Sequence, residues 1–394
     1  MLSPRLALIS VISVCLFGAA RVETARRPRY GGTLRVEIGA AVNSVDPAIA
    51  PAGAEEAAAK EQIDALIYDR RNSDGTFTGG GPFRIAEWDP GRHLTLAAND
   101  DYPQGRPFID SIEIQMARNV HDRLLDLELG KADFAEIPPD QTRRAADAGV
   151  RTSASQPDEL IALVFISGRP TAENARVREA LACSLDRAAM VNFILQKAGE
   201  PAGGLLPQWS SGTAFLFSTA SDVAHSKELW SQMGSSPSLV LGYDSGDSLD
   251  QSLAERIVVN ARDAGIIVTA KAMSVAKPAA LTAPAAANSG VDVRLVHWRM
   301  PSPFPRTALS QMLGEIGAVS GIDAGSLPDA ATPEQIYELE RTIVGGFRII
   351  PLVWVPQIYG LSARVKDWKP PAPGETWPLA DVWIDAPTGS TGVQ

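Results

Sequence analysis

Apolar and polar residues alternate through Leu34, Val36 and Ile38, and this period of two predicts a short strand. Residues 54–67, AEEAAAKEQIDALI, are rich in helix formers and predict a helix. Next comes Gly79-Gly80-Gly81-Pro82. A loop that cradles phosphate needs a helix directly after it, whose first amides and dipole face the anion. Here Phe83 and Ile85 alternate instead, DPGRH turns the chain, and Leu94, Leu96 and Ala98 alternate again. The glycines therefore introduce a β-hairpin and serve close backbone approach.

The same reading continues along the chain. Ile112, Ile114 and Met116 mark a strand, and Val120, Leu124 and Leu127 a helix that stops at Gly130. ADFAEIPPDQ is extended, and LIALVFI, residues 160–166, reads as a buried strand. Residues 173–197 are helical with a break near Asp186, whose carboxylate can cap the second piece. SLVLGY, a helix from Leu249 to Ala264 and IIVTAKA then form a β-α-β unit. An Ala/Pro-rich stretch, KPAALTAPAAANSG, reads as a surface loop. The strand VDVRLVHW, the helix ATPEQIYELERTIV and the extended run RIIPLVWVPQIYGLS follow. The fold class is α/β with a parallel sheet.

Composition narrows the function. A chain of 394 residues is long enough for more than one lobe. A net charge of −10 without a long basic run argues against nucleic acid or anionic lipid as partner. Arg5, an apolar run from Leu6 to Phe17 and the small residues Gly18-Ala19-Ala20 have the layout of a secretory signal, so residues 1–20 are expected to be removed. Loss of Cys15 with the signal leaves Cys183 alone, without an intrachain disulfide.

Candidate chemistry is sparse. His93, His121, His225 and His297 do not stand at metal-ligand spacing with another His or Cys, and no nucleophile elbow is present. Neither an enzyme nor a metal or organic cofactor is expected. The eight tryptophans offer large, rigid contact surfaces of the kind that line ligand clefts. Trp298 stands at the end of an apolar strand, where ligands of open α/β sheets collect, and Arg299 beside it could grip a carboxylate.

Four stretches, in order, resemble the bacterial extracellular solute-binding proteins of family 5, which serve ABC importers of dipeptides, oligopeptides and nickel. YGGTLRVEIGAAVNSVDP resembles the family's first strand and Ser-Leu-Asp-Pro turn, with Ser44, Asp46 and Pro47 matching. GGGPFRIAEWDPGRHLTLAANDDYPQGRPFIDSIEIQ resembles its Gly-Thr-Gly-Pro-Phe hairpin, RPTAENARVREALACSLDRAAMVNFIL its helix pair, and IPLVWVPQIYGLSARVKDW its closing strand.

The resemblance implies a type II periplasmic-binding-protein-like fold of two lobes that clamp a solute, peptide-like or other, by hinge closure. It implies a periplasmic, monomeric receptor that delivers its ligand to an ABC permease in the inner membrane. On this reading lobe 1 spans 31–210 and resumes at 346–388, lobe 2 is inserted at 215–345, and the crossings fall at 207–215 and 345–351. Trp298, Phe165 and Trp354 would stack on the ligand, and Arg299, Ser167 and Ser44 would hydrogen-bond it.

The chain also departs from the family. Only Ala48 to Thr78 separates the Asp-Pro turn from the glycine hairpin, so the family's extra subdomain is largely missing. Phe165-Ile166-Ser167 replaces Phe-Asn-Thr, and no aspartate follows Trp298 to meet a peptide amine, which points to an anionic or apolar ligand. A second reading follows from the shortening: a degenerate paralogue that binds another envelope protein and does not transport.

Overall fold

The computed structural model describes residues 27–71, 77–78, 80–213, 216–233, 237–274, 290–322, 328 and 331–385. The expected signal, Cys15, Gly79, most of the Ala/Pro-rich stretch and the last three residues of the 346–388 segment lie outside them.

The first strand, β1 (Thr33–Glu37), leads through the Ser44 turn to α1 (Ala54–Ile67), with the bounds the sequence predicts. Among the described residues, a minimal ribbon of β2 (Arg70–Arg71) and β3 (Phe77–Thr78) stands between α1 and the glycine hairpin, β4 (Phe83–Asp89) and β5 (His93–Ala98). Gly81 introduces it because a Cβ there would fall 2.6 Å from the Ile67 carbonyl carbon. Next come β6 (Ser111–Gln115), α2 (Val120–Glu128), β7 (Phe134–Ile137), α3 (Thr142–Asp147) and the long β8 (Arg151–Phe165).

Short helices α4 (Pro170–Glu173) and α5 (Ala175–Ser184) precede the expected break, where the Asp186 carboxylate accepts from the Ala189 amide and caps α6 (Arg187–Ala189). The chain proceeds through β9 (Glu200–Pro201), α7 (Gln208–Ser211) and α8 (Val223–Ser231). The β-α-β unit is β10 (Ser238–Asp244), α9 (Ser248–Asp263) and β11 (Ile267–Met273). Then follow β12 (Val293–Arg299), α10 (Pro305–Ser320), α11 (Pro333–Gly345) and β13 (Ile349–Leu361), with β14 (Val365–Lys366) paired to β15 (Trp383–Ile384) at the end. Helices α8 and α10 have no counterpart in the sequence reading.

One sheet runs through the molecule in the order β11-β10-β12-β8-β13-β7-β1-β6-β5-β4, with β9 added on β13. Strands β8 and β13 are its antiparallel spine. Midway, Pro157 faces Pro356, with irregular register on both sides. Proline has no N–H to give a ladder, so this pair interrupts the hydrogen bonding of the spine.

Packing changes at the same place. Beyond it, strand alternation sends Ile161, Leu163 and Phe165 into one core with α5, α9 and β10, and Leu160, Ala162 and Val164 into another with α10 and α11. Before it, Phe134, Tyr359, β1 and β4 to β6 share a core with Trp368 and Trp377, and Ile358 packs with α2 and α3. The molecule is thus two α/β lobes on a shared spine.

The packing border therefore differs from the expected one near residue 210. Residues 175–206 pack with β10 to β12, and the chain crosses within β8 and β13, not at 207–215 and 345–351. The half of β8 before Asp158 alternates between exposed and half-buried positions, so an apolar pattern beginning at 160 reveals only its other half.

A candidate ligand cleft between the lobes

In the first lobe β1 runs parallel to β6 and β7; in the second, β10 runs parallel to β11 and β12. In parallel α/β sheets ligands collect beyond the carboxyl ends of the strands. The two sets of carboxyl ends converge on one charged seam. Glu37 ends β1 and Glu136 stands near the end of β7; His297 and Arg299 end β12, and Asp247 and Asp250 follow β10 at the head of α9. Arg299 and Glu136 feel each other's charge across the lobes.

Within the seam, Glu159 of β8 is the hub, because β8 pairs with β12 so that Arg299 lies opposite it. Its two oxygens take His297 Nδ1 at 2.6 Å and Arg299 Nη2 at 2.8 Å. His297 Nε2 reaches Asp250 Oδ1 at 2.7 Å, and the other Asp250 oxygen accepts the Asp244 amide at 3.0 Å. Behind them the Tyr359 hydroxyl donates to Gln357 Oε1 (2.7 Å), whose amide donates to Asp158 Oδ2 (2.8 Å). Asp158 Oδ1 is buried without a hydrogen-bond partner. On the first-lobe side Arg123 donates to the Glu136 carbonyl at 2.5 Å, while Arg118 holds Asp126 at 2.6 Å and approaches Glu37 at 3.6 Å.

Electrostatics sort these groups. Burial disfavours a charged His297 ring, but hydrogen bonds to Asp250 and Glu159 outweigh it and raise its pKa well above the usual value. Burial likewise works against the charged form of Glu159, yet Arg299 and His297 hold its pKa far below the ordinary carboxylate range. Burial pushes Asp158 up to about 6 and Glu37 up to about 7. The His297 and Arg299 side chains stay 29% and 43% exposed, so the seam is open to solvent on its second-lobe side.

Asp247, Asp250 and His297 bring potential metal-ligand atoms within 4.8 Å of one another, a grouping that linear spacing did not reveal. Both His297 nitrogens already face carboxylates, and the resulting imidazolium has no lone pair to give a metal.

The sequence-selected residues are dispersed. Only Arg299 lies in the seam, where its guanidinium donates through Nη2 to Glu159 and is shared between that carboxylate and solvent. Trp298 is its neighbour on a strand and so points to the opposite face, 4% exposed among Leu309, Met312 and Trp354, itself 2% exposed. Phe165 is fully buried in the other core. It pairs with Val293, six residues along β8 from Glu159 and therefore about 20 Å from the seam. Ser167 lies farther on, against Glu173. The Ser44 hydroxyl accepts the Asp46 amide and stabilises the turn after β1. Alternation alone could have exchanged Trp298 for His297; Glu159, Asp158 and Glu136 carry no local signal.

Residues 33–318 match the family described as bacterial extracellular solute-binding proteins, family 5, middle. The chain belongs to this family. Its members are substrate-binding proteins of ABC transporters, periplasmic or extracellular. The oligopeptide-binding protein AppA of Bacillus subtilis is 30% identical over 127 residues, 32% of this chain and 23% of AppA, so the match spans about a quarter of that relative's length. Two solved structures share the fold. NikA of Staphylococcus aureus in complex with Ni(L-His)2 has a TM-score of 0.64 at 19% identity, over 81% of this chain and 72% of that one. DppA of Helicobacter pylori with the peptide STSA has a TM-score of 0.69 at 15% identity, over 91% and 99%. Among the described residues, the segment from α1 to β3 holds one helix and a two-stranded ribbon. Among the described residues no helix is long and apolar enough to cross a membrane.

Proposed function

We propose that the chain is the exported, non-enzymatic receptor of an ABC importer, and that it takes a small solute bearing a cationic group into the seam between its lobes. The observation that carries this reading is the convergence of both sets of parallel-strand ends on a site where carboxylates outnumber cations. Arg299 and His297 are already neutralised by Glu159 and Asp250, Glu37 has Arg118 at 3.6 Å, and Glu136 and the unpaired Asp158 oxygen stand in surplus. A buried carboxyl without a donor favours a ligand that brings one. The residues that do this work are Glu159, Asp158, Glu136, His297 and Arg299; Trp298, Trp354 and Phe165 hold the lobe together instead.

Closure bends the spine at Pro157–Pro356. Behind that pair a cavity of about 360 Å³, lined also by Thr142, Lys197 and Glu200, gives the strands room to move. A ligand touching both lobes favours the closed state by its differential affinity alone. The closed monomer would then be presented to its permease.

The test is native mass spectrometry of the gently purified mature chain, with small-angle scattering before and after ligand removal. Recovery of an amine-bearing small molecule, with expansion when it is removed, is the expected result. A chain that carries nothing and keeps its shape across a broad panel of amines, peptides and metal chelates would leave the reading without support and favour an envelope interaction role.

A further inference from the structure

The lobes also meet on a rim away from the charged seam. Gly374 belongs to the C-terminal segment whose Trp368, Trp377 and Leu379 are buried in the first lobe's core. Pro301 and Ser302 follow β12 and Met300, which is buried in the second lobe. Gly374 has φ +78°, and a Cβ at that position would lie 2.3 Å from the Pro301 carbonyl oxygen, 3.0 Å from its carbon and 3.5 Å from Ser302 Cα. These obstacles are backbone atoms, so no side-chain rotation relieves them.

Each loop is fixed to its own lobe. The Met300 amide donates to the Asp158 carbonyl at 2.8 Å, and the Ser210 hydroxyl to the Pro303 carbonyl at 3.1 Å. Opposite, the Glu375 amide donates to the Ala372 carbonyl at 2.8 Å, and the Trp377 amide to Gln62 Oε1 at 2.8 Å. A loop tied in this way cannot withdraw alone; an obstruction at the contact is passed on to the lobes.

We infer that the bare backbone contact of Gly374 with Pro301 is the closing stop of the clamp. Glycine at 374 sets how near the lobes come, and a side chain there holds them apart and so weakens retention of whatever the seam binds. This rests on the hinge reading above.

The test compares the radius of gyration of the mature chain, purified gently so that it keeps its bound solute, in three variants. Gly149→Ala is the control for backbone strain: Gly149 has φ +79° and open space where a Cβ would go. Gly374→Ala should increase the radius by about 1 Å from about 21 Å for a compact chain of this size, and Gly149→Ala should leave it unchanged. An unchanged radius in Gly374→Ala overturns the inference. So does a Gly374→Ala chain that fails to fold while Gly149→Ala folds, since the contact would then be fixed packing. Arg299→Ala separates the two failures. If it widens the molecule and Gly374→Ala does not, the hinge stands and the stop is wrong; if neither widens it, both ideas fall.

Discussion

Replacing Trp298 by alanine is the perturbation on which sequence and structure disagree most. If the indole lined an open cleft, its loss would weaken ligand binding and barely change stability. In the structure it is 4% exposed, packed among Leu309, Met312, Met300 and Trp354, and its indole N–H meets Glu315. Removing a large buried aromatic costs about 3–5 kcal/mol, part lost transfer energy and part cavity. Unfolding entropy near the melting point is about 2.1 cal/mol/K per residue, so a lobe of roughly 190 residues has ~0.4 kcal/mol/K and its transition should fall by ~7–12 °C. Both lobes melting as one unit would halve that drop. Differential scanning calorimetry decides it, with Trp209→Ala as comparison. Trp209 is 37% exposed and donates to the Pro157 carbonyl at 2.8 Å, and its loss should cost about 1 kcal/mol. A Trp298→Ala chain melting within 2 °C of the parent, or no lower than Trp209→Ala, would refute the core assignment.

Burial raises Asp158 to about 6, and Glu37 and Glu340 to about 7, above the usual carboxylate range, so the folded chain binds more protons than the unfolded chain between pH 4 and 8. Stability should therefore rise as pH falls from 8 to 5, by at most about 3 kcal/mol per group. Urea midpoints at both pH values check it, and Glu340→Gln should shrink the difference; a midpoint higher at pH 8 would contradict the sign. Converting Pro157 and Pro356 together to valine returns two N–H groups to the spine and should slow hydrogen exchange of the flanking β8 and β13 amides; unchanged exchange would mean the pair is not a weak point. Glu159→Ala leaves His297 and Arg299 without their shared partner and should cost about 1–3 kcal/mol in chemical denaturation, discounted because both cations are partly exposed; a neutral outcome would show that solvent replaces the carboxylate.

Much of the fold was legible because local pattern and final burial agree. Strand β1, helix α1 and the glycine hairpin follow from alternation, propensity and the lack of a helix after Gly81. The Asp186 cap was legible because capping is a short-range hydrogen bond. Helix α10 was missed because PSPFP at its head reads as a loop, although Pro305 is its first residue. The site was legible in one respect only. On β12 successive side chains alternate, so Trp298 and Arg299 could never face the same cleft, and His297 was the proper companion of Arg299. The rest depends on the pairing of β8 with β12, which joins Glu159 to Arg299 across 140 positions, and on Glu136 arriving from the other lobe. Nothing local encodes that meeting.

The surplus carboxylates of the seam should select a cationic group. Calorimetric titration with matched pairs of small solutes, each with its amine free or acetylated, tests it most directly. The free-amine member should bind at least about tenfold more tightly, a difference of about 1.4 kcal/mol, and Asp158→Asn with Glu136→Gln should remove the preference. Equal or tighter binding of the acetylated members, or a preference for solutes carrying a carboxylate, would contradict it.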